Sequence, residues 1–238
     1  MNRAERLGLC LERLSAEVDD LSALVDTERL LTGEPEELLV AAARIEAALP
    51  CPAPIAEAEL ALLFMAGRDY ARARRHAAEA ARPESTPEVA ARGHALLGRL
   101  AEVAEEPHQA LDHYRQAVDL NPRSWRHRQD LAAILIELPD LAAWSEAEDS
   151  LAAAAALAGE TDGIALIRAQ LMLAQGDQEG ARRTLIALAR EGAVRFAAMA
   201  AALLARLPRP ETDAVDQAAD DVKTIDELHP HEHSGVDG

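Results

Sequence analysis

The densest group of side chains able to do chemistry lies near the C-terminus, where residues 229–233 read His-Pro-His-Glu-His. His229, His231, Glu232 and His233 offer imidazole and carboxylate ligands of the kind a divalent transition metal takes. An ordered metal site needs a scaffold, and this cluster sits in a polar, acidic segment. It therefore reads as a solvated tail that holds no metal. Cys10 falls on an apolar helical face, where a thiol packs rather than attacks. Cys51 lies in a proline-rich break with no base beside it, and the two cysteines form no metal or redox spacing. The chain has no Gly-x-Gly-x-x-Gly, no phosphate-binding Gly-Lys-Ser/Thr loop, no His-Glu-x-x-His and no Gly-x-Ser-x-Gly. No catalytic residue and no cofactor is expected, and the chain reads as a non-enzyme. His94, at an inner helix position, reads as packed and hydrogen-bonded. Arg123, Arg126, His127 and Arg128 flank Trp125. Such a cluster is either a hot spot for a protein partner or a capped helix start whose Trp packs between neighbouring elements.

The elements that must position these groups are helices. The 238 residues are dominated by Ala, Leu, Glu and Arg, and aromatic residues make up 3%. These are good helix formers, while the β-branched and aromatic strand formers are sparse. Alanine-rich helices can approach closely, so many can stack without bulky fillers. Residues 1–15 carry Arg3, Glu5, Arg6, Glu12 and Arg13, so no apolar signal segment is expected there. The most apolar stretch, 193–207, contains Arg195 and Arg206, which argues against a membrane span. A reducing, cytoplasmic setting fits the cysteine usage. Lys223 is the single lysine, and that arginine bias points to a GC-rich bacterial genome.

The net charge is −18 and its distribution is uneven. Residues 1–60 hold 13 acids and 5 bases; residues 211–238 hold 9 acids and 1 base. The middle holds 20 acids and 18 bases, and is nearly neutral. Binding to nucleic acid through bulk charge is not expected.

Along the chain, residues 2–31 read as one helix in which Leu7, Leu11, Leu14, Val18, Leu21 and Val25 are spaced as a short heptad seam. This is a homodimerising coiled coil or an amphipathic helix packed on its own protein; Leu9, Leu24 and Leu30 widen the stripe and favour the second reading. A helix from Pro35 to about Leu49 follows, and the prolines at 50, 52 and 54 end it. From Pro54, helical stretches alternate with short breaks at 67–69, 83–87, 105–107, 121–122, 138–140, 159–163, 176–177 and 191–192. About seven helices in antiparallel pairs are expected. Residues 208–238 read as an acidic, mostly disordered tail, with a short helix near Ala214 to Leu228 conceivable on binding.

A repeat emerges from Leu97, Gly98, Ala101, Ala110, Tyr114, Ala117, Leu120 and Pro122. Their spacing resembles the 34-residue consensus of the tetratricopeptide (TPR) repeat family. Small residues at 98, 110 and 117 let paired helices touch, and Tyr114 fills the gap beside them. Residues 54–87 resemble the pattern through Leu60, Ala61, Phe64, Tyr70, Ala73, Ala77 and Ala80. Residues 125–160 do so through Leu131, Ala132, Leu135, Ala147, Leu151, Ala154 and Leu157, with about three extra residues near 138–143. Residues 162–194 do so through Ala169, Met172, Gly176, Asp177, Ala181, Leu185 and Leu188. The resemblance covers 54–207, with 196–207 as a closing helix. Residues 1–49 are then a cap, a degenerate repeat or a dimerising region.

The resemblance implies an all-α, right-handed α-solenoid and a protein partner, with no nucleic acid or membrane. In this family the first helices of successive pairs line a concave groove that receives a partner segment. Carried over by position, the groove would show Leu62, Met65, Arg92, Arg99, Glu102, Arg126, Gln129, Ala133, Leu166 and Gln170. Members that clamp the C-terminal carboxylate of heat-shock chaperones carry Lys and Asn at two groove positions, where this chain has Ala95 and Arg99, then Gln129 and Ala133. That partner is disfavoured. Groove arginines imply an acidic or carboxylate-bearing segment instead, and the acids at 213, 216, 220, 221, 226 and 227 make the chain's own tail a competitor for it. The implied roles are an interaction scaffold or adaptor, a dedicated chaperone for a secretion or assembly subunit, or a regulatory subunit of an enzyme complex.

Overall fold

The computed structural model describes residues 35–48, 53–138 and 140–208. The seam at residues 7–25, both cysteines, the histidine cluster and the acidic tail lie outside the described residues. Within them the chain is all-α: α1 (Pro35–Ala48), α2 (Pro54–Ala66), α3 (Tyr70–Ala80), α4 (Pro87–Val103), α5 (Pro107–Leu120), α6 (Trp125–Glu137), α7 (Leu141–Ala158), α8 (Asp162–Ala174), α9 (Gln178–Glu191) and α10 (Val194–Leu204). Consecutive helices pack on each other, and each first helix also reaches across a pair, α2 to α4, α6 to α8 and α8 to α10. The result is a linear stack of pairs, α2–α3, α4–α5, α6–α7 and α8–α9. No helix among the described residues is long and apolar enough to cross a membrane.

A single buried motif runs through the second helices. In α3 the residues are Ala73, Ala77 and Ala80; in α5, Ala110, Tyr114 and Ala117; in α7, Ala147, Leu151 and Ala154; in α9, Ala181, Leu185 and Leu188. All are buried. A spacing of four then three puts the three side chains on one stripe of the helix, facing the partner helix. Helix α1 carries the same spacing in Leu38, Ala42 and Ile45, also buried, and packs on α2. Residues 35–48 thus continue the stack at its N-terminal end.

Close approach is visible in the α4–α5 pair. A Cβ added at Gly98 would lie 2.7 Å from the Tyr114 ring. The glycine leaves room for the ring, and the ring fills the space the glycine leaves.

Three turns within pairs share one geometry. Arg68, Glu105 and Gly176 have positive φ, at 64°, 59° and 86°. The next amide donates back across the turn: Asp69 to Phe64 at 2.8 Å, Glu106 to Ala101 at 2.9 Å and Asp177 to Met172 at 2.8 Å. Asp69 and Asp177 then cap the following helix through the amides of Arg72 and Gly180. Glu106, one methylene longer, makes no such cap.

One expectation needs correction. Nine helices, not about seven, follow residue 53 among the described residues, because eight breaks bound nine helices. The extra residues of the third unit near 138–143 are built into helix: α7 starts six residues before Ala147, where α5 and α9 start three before Ala110 and Ala181, and it runs to 18 residues against 14 in each of them.

The positive-φ turns give a stability test. Arg68→Gly and Glu105→Gly should each stabilise the fold by about 1 kcal/mol, since a side chain at that φ is strained and glycine is not. Glu106→Asp should add about 0.5–1 kcal/mol by restoring the cap. Urea unfolding midpoints check all three.

Candidate protein-binding groove

The first helices α2, α4, α6, α8 and α10 form one row, and charged side chains join them. Glu59 of α2 is fully buried and ion-paired with Arg92 of α4. Arg99 of α4 pairs with Asp130 of α6 at 3.1 Å. At the far end, Asp162 of α8 accepts the Ala193 amide at 2.7 Å, where α10 begins. Each link spans about one repeat in sequence.

An open pocket of about 430 Å³ lies in this row. Arg99, Trp125, Arg126, Gln129 and Asp130 line one side, from α4 and α6. Thr161, Asp162 and Gly163 line the start of α8, and Arg195 and Phe196 line α10. Two guanidinium groups lie over rings here: Arg126 over Trp125 at 4.9 Å and Arg195 over Phe196 at 4.7 Å. Both arginines are exposed, and ring-facing guanidinium groups still present N–H donors outward. A smaller hollow of about 280 Å³ beside it is rimmed by Glu102, Glu105, Glu106 and Glu137. The groove is therefore polarised, with carboxylates on one stretch and guanidinium groups on the next.

Burial and charge shift several groups. Burial works against the Arg99 charge, but Asp130, Tyr114 and Glu102 together hold the guanidinium above its usual pKa. Burial also raises the Asp130 carboxyl, with Arg99 opposing. Glu102 is raised by burial and opposed by the Tyr114 hydroxyl, which donates to it at 2.8 Å. His127 is pushed down to about 4 by burial and by the charges of Arg99, Arg92 and Arg126. His94 and His113 contact each other through their Nδ1 atoms at 3.3 Å, and burial lowers both. Among the described residues no cluster of three His, Cys, Asp or Glu is placed to hold a metal.

The ten groove positions anticipated from sequence divide into distinct groups. Arg99, Arg126 and Gln129 meet in the pocket. Arg92 is held by Glu59, and Glu102 belongs to the acidic hollow. Leu62 and Met65 are half-buried against the core of the first pairs, and Ala133 against that of the middle pairs. Gln170 is half-buried on α8. Leu166 is not a groove residue: it is 4% exposed and packs in the core shared with Leu185, Leu188 and Ala200. It lies on the stripe of α8 that turns inward to α9 and α10. Arg195 and Phe196 were missed. Their signal was available, since each starts a first helix as Trp125-Arg126 does, with an aromatic residue and an arginine adjacent.

Two measurements separate structural from available charge. Arg92→Ala should destabilise the fold by about 2 kcal/mol or more, because it takes the cation away from a buried carboxylate. Arg126→Ala should change stability by under about 0.5 kcal/mol. Denaturant unfolding of the two variants checks this. His127 supplies the pH test. With its folded pKa below the unfolded value, its neutral form contributes stability that is full above the unfolded value of 6.5 and is lost as pH falls towards 4. Over that window the melting temperature of the parent should fall more steeply than that of His127→Gln.

No protein-family model matches the chain, and no curated protein matches it. Solved structures do. A structure described as a functional characterisation of Pseudomonas aeruginosa pilF matches with a TM-score of 0.53 at 18% identity, covering 84% of this chain and 96% of that one. TTC0263, described as a thermophilic TPR protein in Thermus thermophilus, gives 0.55 at 22%, covering 85% and 99%. YrrB, described as a TPR protein with an unusual peptide-binding site, gives 0.50 at 18%, covering 80% and 96%.

Proposed function

We propose that this chain, whose fold is that of the tetratricopeptide-repeat proteins, is a non-catalytic binding module. It receives an acidic or carboxylate-bearing segment of a partner protein in the pocket between α4, α6, α8 and α10. The role is that of a scaffold or adaptor. The observation that carries the reading is the pair of exposed guanidinium groups, Arg126 and Arg195, each seated on an aromatic ring at the edge of one open pocket. An arginine on a ring is held in place without losing its charge, so it can grip a carboxylate with little further ordering. Burial and charge lower the His127 pKa, so above about pH 5 its imidazole contributes no charge there. The neighbouring glutamate hollow repels an acidic segment and so directs it to the α6–α10 stretch.

Arg92 and Arg99 have a different part in this reading. Both are engaged by carboxylates of the chain itself, so they shape the groove rather than hold the partner. A short fluorescent peptide rich in Glu and Asp with a free C-terminal carboxylate is a suitable probe. It should bind the parent protein with an affinity that falls as salt rises. Combining Arg126→Ala with Arg195→Ala should weaken it by about tenfold or more. Glu102→Gln should leave binding equal or tighter. Binding that is indifferent to salt and to the double substitution would contradict the proposal.

A further inference from the structure

Two imidazoles meet between α4 and α5, and neither lines the arginine pocket. His94 stands one turn before Gly98 and His113 adjoins Tyr114, so the pair borders the close contact of those two residues. Both histidines are half-buried. Their Nδ1 atoms are 3.3 Å apart while the ring centres are 5.5 Å apart, with 31° between the ring planes. The two nitrogens therefore lie close to the line between the rings and point at each other. A metal ion on that line would need about 2.0–2.1 Å to each nitrogen, which the gap does not allow. A proton fits it: one Nδ1–H donates and the other Nδ1 accepts.

Few charges reach the pair. Asp112 of α5 and Arg74 of α3 act on His113 in opposite senses, and His113 acts on His94. Among the described residues, α2, packed on α4, and α6, packed on α5, bring no charge that acts on either ring. Two other steps between second helices are tied by opposite charges. Glu46 of α1 pairs with Arg72 and Arg75 of α3, and Arg115 of α5 pairs with Glu146 of α7 at 2.6 Å. Between α3 and α5 the charge that reaches across is Arg74, of the same sign as a protonated His113.

We propose that the His94–His113 pair is a proton-operated joint between α4 and α5. Near neutral pH one Nδ1–H···Nδ1 bond holds the two rings together. The first proton taken up goes to Nε2 of the donating ring and leaves that bond in place. The second goes to Nδ1 of the accepting ring. Two Nδ1–H groups then face each other, the bond is lost, and the two cations repel each other and Arg74. Parting the rings returns both cations to water. Burial lowers both folded pKa values below 6.5, so the stability that the neutral pair contributes is full above 6.5 and is lost as pH falls below it. Helix α4 also carries Arg99 and Glu102 into the groove. The joint therefore couples the shape of the groove to proton uptake.

Hydrogen exchange on the full chain tests the joint, with each rate taken relative to unstructured amides at the same pH. Between about pH 7.5 and about pH 5, protection in α4 and α5 should fall at least about fivefold more than in α9. His113→Asn puts a neutral amide at the contact, able to donate to His94 or accept from it, and should remove that extra fall. Where His113→Asn does not fold, two exposed positions decide. Arg74→Gln should make the fall smaller and Asp112→Asn should make it larger, since the first removes a like charge and the second an opposite one. Imidazole nitrogen shifts at about pH 7.5 should show one ring protonated on Nδ1 and the other on Nε2. An equal fall in the parent and in His113→Asn would overturn the proposal, and so would a fall that ignores Arg74→Gln and Asp112→Asn. Two rings that both carry their proton on Nε2 at about pH 7.5 would overturn it as well.

Discussion

Everything in this structure depends on how closely paired helices can approach. The second helices present a buried stripe of three residues, and the stripe is built largely from alanine. Where a large side chain enters it, a small one makes room: Tyr114 sits where Gly98 has no side chain. Packing of this kind depends on shape more than on bulk, since a chain with 3% aromatic residues has few large rings to bury. It also makes the protein nearly one-dimensional. Each pair meets its neighbours and little else, so stability is a sum of pair and neighbour contacts.

Charge adds to this packing. The first helices bury larger aliphatic residues, such as Leu60, Leu96, Leu131 and Ile164, and ionic links also join neighbouring ones. Glu59 with Arg92 and Arg99 with Asp130 each join one first helix to the next. Placed between repeats, they tie neighbouring first helices together and engage two arginines with the chain's own carboxylates. Arg99 still lines the pocket from its pair with Asp130, while Arg126 and Arg195 there rest on rings instead of carboxylates. Structure and recognition thus use the same residue type, sorted by what each guanidinium touches.

Much of the fold was legible in the sequence. The unit at 91–124 announced itself because glycine, alanine, tyrosine and proline stood at the right offsets, and those residues do what their types imply. The breaks were also legible, since turns between helices are written in Gly, Pro, Asp and Asn. Those eight breaks bound nine helices, two more than the count of about seven drawn from them. The site was only half legible. Arg126 and Gln129, placed by position, line the pocket, but the partners of Arg92 and Arg99 lie 33 and 31 residues away, and no local pattern pairs Arg92 with Glu59 or Arg99 with Asp130. Leu166 was misplaced for a related reason: α8 is apolar on more than one side, so spacing alone does not say which side meets α9 and α10.

Trp125 offers the most direct view of the claim that this pocket is where a partner is held. The chain has two tryptophans, and Trp144 packs against the middle core cluster. In a Trp144→Phe variant, emission comes from the indole under Arg126 alone. Titrating the acidic peptide into that variant should shift the emission saturably, with a midpoint equal to the binding constant and a loss of signal at high salt. Saturable binding with no change in Trp125 emission would place the partner elsewhere and contradict the account.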